Sequence, residues 1–467
     1  MNLHRDILRL AVPSILANIT VPLVGMVDIA VAGHLGASGG MSAAALIGGI
    51  SIGTMLFDML YWNFGFLRGG TGGLTAQAFG RFHAGDQDAA GDIAVTLKRA
   101  LGIAFGSGLV LVALQWVVVQ VAFLLVDCSP EVQTLATQYF YIRIWAAPAT
   151  LSLFAFKGWF IGMQDTVRPM ICDLLVNALN ILLSIGLGFG YAGLPALGFQ
   201  GIAFGTLIAQ WAGFLYASLA VWHRYGTFFK SHSAPRNVTG WRAFFVLNRD
   251  LFLRSVCMIA VYIGFTIISA RFGDMMLAVS TIMMKLLMVF SYFTDGFAYA
   301  GEALTGRFIG EKSPDGVRST IRQTFVWSLG VTALFFLVYG VGGVPLLRLM
   351  TSDASVVEAG REYIPWLLLM PVIGCPAFTW DGIFTGATAS KDLRNSTAWC
   401  VVGFFAVWHI GAWLGEAFNS GSLGLEGLLP GTAIHILMAA YFTHLLIRAL
   451  YLTLRWRKAI PFSCQSA

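Results

Sequence analysis

The sequence predicts an all-α membrane protein of twelve transmembrane helices arranged as two pseudo-symmetric six-helix lobes, and three observations carry that prediction. First, 57% of the chain is hydrophobic and only 11% is charged, less than half of the roughly 25% that clothes a soluble globular domain. Second, apolar runs long enough for a spanning helix, which needs about 20 residues, recur along all 467 positions. Third, two segments repeat at matching places in the two halves.

Hydropathy and turn residues place the first span at 8–34, after Arg5 and Arg9. This opening is similar to that of a secretory signal peptide, but its apolar run is too long for an h-region and no cleavage site precedes a polar domain. Pro13 and Pro22 lie within it, and each removes a backbone hydrogen bond and favours a bend. Asp28 follows, about twenty residues from the span's start. A carboxylate inside a span costs roughly 2.5–3.5 kcal/mol on insertion scales and is a functional hypothesis by default. It must face an aqueous cavity or polar neighbours, unless it sits at the outer interface near a helix end.

The second span, 43–66, extends as helix to about residue 80 through GGLTAQAFG. The third covers 96–126 and the fourth 136–162. In the fifth, 169–190, Asn177, Asn180 and Ser184 recur at i, i+3 and i+7 and mark one helical face. Such a stripe is either a binding surface or the amide glue that joins helices in membranes. The sixth, 200–223, carries Thr206 and Gln210 one turn apart, candidates for the same place. One carboxylate with amides and hydroxyls can bind a proton or a small cation.

Residues 224–250 have the composition of a linker, which divides an N-lobe, 1–223, from a C-lobe, 251–455, followed by a tail, 456–467. The C-lobe spans fall at 251–272, 277–301, 320–348, 362–388, 396–416 and 427–453. Asp295 and Glu302, seven apart, share a face of the eighth span, and Asp381 lies in the tenth. Arg68, Arg143, Lys157 and Lys285 are the cations within apolar sequence. Either these charges neutralise one another in buried pairs, or they line a pathway.

Counting Lys and Arg across alternate connections puts both termini on the cytoplasmic side. That side collects Arg5, Arg9, Arg81, Lys98, Arg99, Arg168, the basic residues from Arg224 to Arg254, those from Arg307 to Arg322, Lys391, Arg394, and Arg448 to Lys458. The other side holds Arg271, Arg348 and Arg361. This partition accounts for the net charge of +6, so nucleic acid is not an expected partner. Six widely spaced cysteines, with no C-x-x-C pair and no histidines at zinc spacing, give no metal site.

The halves align at two places. GLTAQAFGR (73–81) matches ALTGRFIGE (303–311) at an offset of 230, and KGWFIG (157–162) matches DGIFTG (381–386) at an offset of 224. Parallel six-helix repeats are one architecture of secondary transporters. Two catalytic signatures fail. GASGG (36–40) has the form G-x-S-x-G, but a nucleophile elbow needs a strand before it and a helix after it. GRFIGEKS (306–313) lacks the glycine before lysine that a P-loop requires. No enzyme activity and no cofactor are therefore expected.

NITVPLVGMVDIAVAGHLG (18–36), FLRGGTGGLTAQAFG (66–80), NALNILLS (177–184), LNRDLFLRS (247–255), YFTDGFAYAGEALTGRFIG (292–310) and WDGIFTGATAS (380–390) resemble the DinF-like branch of the MATE (multidrug and toxic compound extrusion) transporters. The resemblance runs over nearly the whole chain. It implies a MATE-like fold and a bacterial inner-membrane antiporter, expected to act as a monomer among membrane lipids. It would export lipophilic, often cationic small molecules through a central cavity. It puts the family's coupling acid on Asp28, its kink proline on Pro13 and the neighbouring amide on Asn180. Where many relatives have a second Asp, this sequence has Ser184, which favours coupling to H⁺ over Na⁺. A flippase for lipid-linked or other anionic amphiphiles is the alternative, and would need unpaired lumenal bases.

Overall fold

The computed structural model describes residues 3–38, 42–126, 128–230, 241–351, 353–420 and 430–460. Among them are helices and no strand; within each helix the backbone groups bond to one another, which lipid, offering no partner, requires of any structure that crosses it. Among the described residues, twelve helical stretches are long and apolar enough to cross a membrane. The contacts divide the chain into two compact units, Val12–Gly240 and Met1–Ala11 with Trp241–Ala467.

The first unit contains most of α1 (Leu3–Ser38), then α2 (Ala43–Trp62), α3 (Phe66–His83), α4 (Ala89–Ala113), α5 (Gln115–Leu125), α6 (Pro130–Arg143), α7 (Ala147–Gly162), α8 (Val167–Phe189) and α9 (Phe199–Lys230). Helix α1 runs through Pro13 and Pro22 without interruption. Helices α2 and α3 make one span, broken by a single 3₁₀ turn at Asn63–Gly65; α6 and α7 make another, broken at Ile144–Ala146 just before Pro148. A proline near the start of a helix needs no amide partner there, yet it disfavours helix in the residue before it. The predicted third span is two helices, α4 and α5, parted at Leu114.

The second unit holds α10 (Trp241–Ala270), α11 (Asp274–Gly310), α12 (Pro314–Met350), the short α13 (Ala354–Arg361), α14 (Ile364–Gly386), α15 (Ser390–Ser420) and α16 (Pro430–Ala459). The first residues of α1 belong with it, and His4 Nδ1 accepts a hydrogen bond from Trp327 Nε1 at 3.2 Å. The predicted linker is shorter than its composition suggests: helix continues to Lys230 and resumes at Trp241. Its centre, 231–240, and the end of the predicted tail, 461–467, lie outside the described residues.

The duplicated segments do the same packing work in each unit. In the first, a Cβ on Gly158 would stand 2.1 Å from the Arg68 carbonyl oxygen and one on Gly162 2.7 Å from that of Gly72. In the second, a Cβ on Gly382 would stand 2.0 Å from the Ala298 oxygen and one on Gly386 2.2 Å from that of Glu302. The offsets of 224 and 230 found by alignment are thus the two sides of one repeated contact. Small residues four apart let two helix backbones touch. The turn beyond is repeated too: Gln164 and Thr388, both at positive φ (58° and 54°), close α7 and α14. The Asp165 and Ala389 amides reach back to the Phe160 and Phe384 carbonyls at 2.9 and 3.0 Å.

Candidate functional site

In the first unit Asp28 is 5% exposed, and its Oδ1 accepts the Ser184 hydroxyl at 3.1 Å. The position of Ser184 follows from glycine on α9. A Cβ on Gly205 would lie 2.7 Å from the Ser184 nitrogen and 3.0 Å from its Oγ, and one on Gly201 2.5 Å from the Leu187 carbonyl. Two bare glycines one turn apart therefore let α9 press against the backbone of α8 just where Ser184 faces α1.

The polar stripe on α8 divides between two neighbours. Asn177 Nδ2 donates to Thr20 Oγ1 at 2.7 Å, so Asn177 and Ser184 both tie α8 to α1. At 3.6 residues per turn, Asn180 stands roughly 60° around the helix from Asn177. Its Nδ2 donates instead to Thr206 Oγ1 on α9 at 2.8 Å, and Thr206 donates to the Ile202 carbonyl at 3.3 Å. Asn180 and Thr206 are buried, and Asn180 Oδ1 has no hydrogen-bond partner. The face marked by Asn177, Asn180 and Ser184 is thus shared between two neighbouring helices, α1 and α9.

Arg143, at the end of α6, donates to Tyr139 Oη at 2.9 Å and to Thr54 Oγ1 at 3.5 Å. Its guanidinium lies 4.7 Å from the centre of the Phe57 ring and interacts electrostatically with Asp28 and Asp58. Sequence reasoning missed Asp58, an acid inside α2, although Ser51, Thr54 and Asp58 recur at i, i+3 and i+7 as a readable polar stripe. It also passed over Ser14 and Asn18, buried polar residues on α1 whose i, i+4 spacing was a readable signal.

Asp381 is an ion-pair acceptor: its Oδ2 lies 2.6 Å from Arg254 Nη2 and 3.4 Å from Arg448 Nη1. Both arginines are among the basic residues that charge counting puts on the cytoplasmic side; Arg254 is half-buried and Arg448 is 1% exposed. Asp295 is half-buried and Glu302 buried on α11. Lys157 pairs with Asp173 at 2.8 Å, and Lys285 is exposed on α11 without an ion pair among the described residues. Among the described residues no group of three metal-ligating side chains occurs.

The MatE family profile matches residues 13–185 and 251–406, the two halves carrying the repeated glycine contacts. The chain belongs to the MatE family. Over 454 residues it is 33% identical to DNA damage-inducible protein F of Escherichia coli, covering 96% of this chain and 91% of that one. It is 22% identical over 430 residues to a probable multidrug resistance protein NorM of Thermotoga maritima, covering 88% and 89%. In three dimensions it superposes on the Vibrio cholerae MATE transporter VcmN in its bent form with a TM-score of 0.77, at 19% identity over 98% of this chain and 97% of that one. The all-α MatE fold of twelve apolar spans is therefore shared.

Proposed function

We propose that this MatE protein is a proton-coupled antiporter that exports lipophilic, often cationic small molecules by alternating access, with Asp28 as its protonation switch. The observation that carries the reading is the setting of Asp28: a nearly buried carboxylate on a helix with two internal prolines, held by one neutral hydroxyl. An ionised Asp28 offers a bound cation about 4 kcal/mol of attraction at 4 Å and an effective dielectric of 20. A proton on Asp28 removes that attraction, which corresponds to roughly a thousandfold in affinity. By linkage, a bound cation disfavours protonation to the same degree, so proton and substrate exchange.

Ser184 supports H⁺ as the coupling ion, because a hydroxyl stands where a second carboxylate would neutralise Na⁺. Pro13 supports motion: the two compact units divide between Ala11 and Val12, beside that proline. We place the protein in the bacterial inner membrane with both termini cytoplasmic, in line with the basic residues of its connections. The flippase reading for anionic amphiphiles rests on Lys285, but Lys157 is occupied by Asp173. Reconstitution into liposomes, with pH and Na⁺ gradients imposed separately, tests the proposal: uptake of a fluorescent lipophilic cation driven by the pH gradient is expected, and uptake driven only by Na⁺ contradicts it.

A further inference from the structure

We propose that the second unit contains a buried oxyanion site, read by the side edge of the Arg448 guanidinium. Arg448 on α16 is almost wholly enclosed, with 1% of its side chain exposed. Its Nη1 is used twice, by Met258 Sδ at 3.4 Å and by Asp381 Oδ2 at 3.4 Å. One face of the guanidinium is covered by the Phe378 ring, 5.0 Å from its carbon. Nε and Nη2 are buried and have no hydrogen-bond partner. These two nitrogens form the edge that presents parallel N–H groups, the geometry that matches two oxygens of a carboxylate or phosphate.

The charge balance points the same way. Two guanidinium groups, Arg254 and Arg448, share one carboxylate, Asp381, whose Oδ1 is buried without a partner, so among the ion pairs of the described residues the cations here outnumber the acid. Arg254 Nε is also buried without a partner. The nearby Cys400 spends its S–H on the His444 carbonyl at 3.0 Å and supplies no compensating negative charge. A buried charge is tolerated when it is paired and its donors are satisfied, and here a bidentate anion answers both requirements. Water would satisfy the N–H groups while leaving the charge. The inference does not depend on Asp28 or on the ion that drives transport.

The test is thermal unfolding of the full chain, purified in detergent and titrated with sodium acetate or inorganic phosphate against sodium chloride at matched ionic strength. Ligand that binds only the folded state raises Tm progressively with its concentration. Acetate or phosphate is expected to raise Tm more than chloride. Arg448→Lys keeps the charge but loses the bidentate edge, and should weaken the apparent affinity roughly tenfold or more, the worth of one charge-assisted bond. Asp381→Asn removes the competing carboxylate and should strengthen the response, an outcome that a merely structural role for Arg448 would not produce. A second series in nanodiscs compares zwitterionic phosphatidylcholine with added phosphatidylglycerol. A rise in Tm with the acidic lipid supports the site and assigns the oxyanion to a headgroup, whereas a rise with acetate alone supports a soluble carboxylate. Equal responses to chloride and the oxyanions, or a wild-type response identical to that of Arg448→Lys, would overturn the proposal.

Discussion

Ser184 donates its hydroxyl to the carboxylate of Asp28 across 3.1 Å, joining α8 to α1 at the buried acid of the first span. A hydrogen bond to a charged group contributes roughly 1.5–3 kcal/mol. Ser184→Ala should therefore leave the fold intact and change the proton dependence of transport, read as a displaced pH–rate profile. Ser184→Asp creates two carboxylates at the site, and should increase the dependence of transport on Na⁺ relative to the wild type. Counterflow measured in the two gradients separately checks both outcomes.

Gly205 fixes that bond from behind. A methyl group there would lie 2.7 Å from the Ser184 nitrogen, a backbone atom that cannot swing aside. Gly205→Ala is expected to destabilise the protein by about 1–3 kcal/mol, the usual cost of overpacking, and to depress transport. Gly25→Ala on α1 is the control, since nothing lies within 4 Å of its Cβ position.

The repeated glycine contacts make a paired prediction. Gly158→Ala and Gly382→Ala would each drive a methyl into a carbonyl oxygen, at 2.1 and 2.0 Å, and should lower Tm by similar amounts. Gly102→Ala, with open space at its Cβ, should not. Unequal losses would show that the two halves do not share this contact energetically.

Lys157 and Asp173 form a half-exposed pair at 2.8 Å, where the equivalent position of the other half carries Asp381 with two arginines. Lys157→Gln should retain export of cationic substrates, and the exchange Lys157→Asp with Asp173→Lys should recover stability lost by either change alone. Loss of transport in Lys157→Gln with normal expression would favour the reading in which this base meets an anionic ligand.

The twelve spans were legible because lipid imposes a length and a composition on each helix, and the repeat was legible because Gly158, Gly162, Gly382 and Gly386 are held in place by backbone contact. The stripe on α8 was legible as polar, but its division between α1 and α9 depends on an angle of roughly 60° between Asn177 and Asn180, which spacing alone resolves only once the neighbours are known. The partners of Asp381 were not legible at all. Arg254 and Arg448 lie far from it in sequence, and a basic residue near a span end counts equally as a topology signal or as a buried pair. The interruption at Leu114 carries no proline or glycine to announce it.

The central claim is that Asp28 carries the transported proton. Its most direct test is substrate-driven proton movement in liposomes containing Asp28→Asn, compared with wild type at equal protein content. The account predicts folded protein with neither proton release nor export against a gradient, because asparagine cannot exchange a proton. Proton-coupled export at wild-type rate by Asp28→Asn would contradict it.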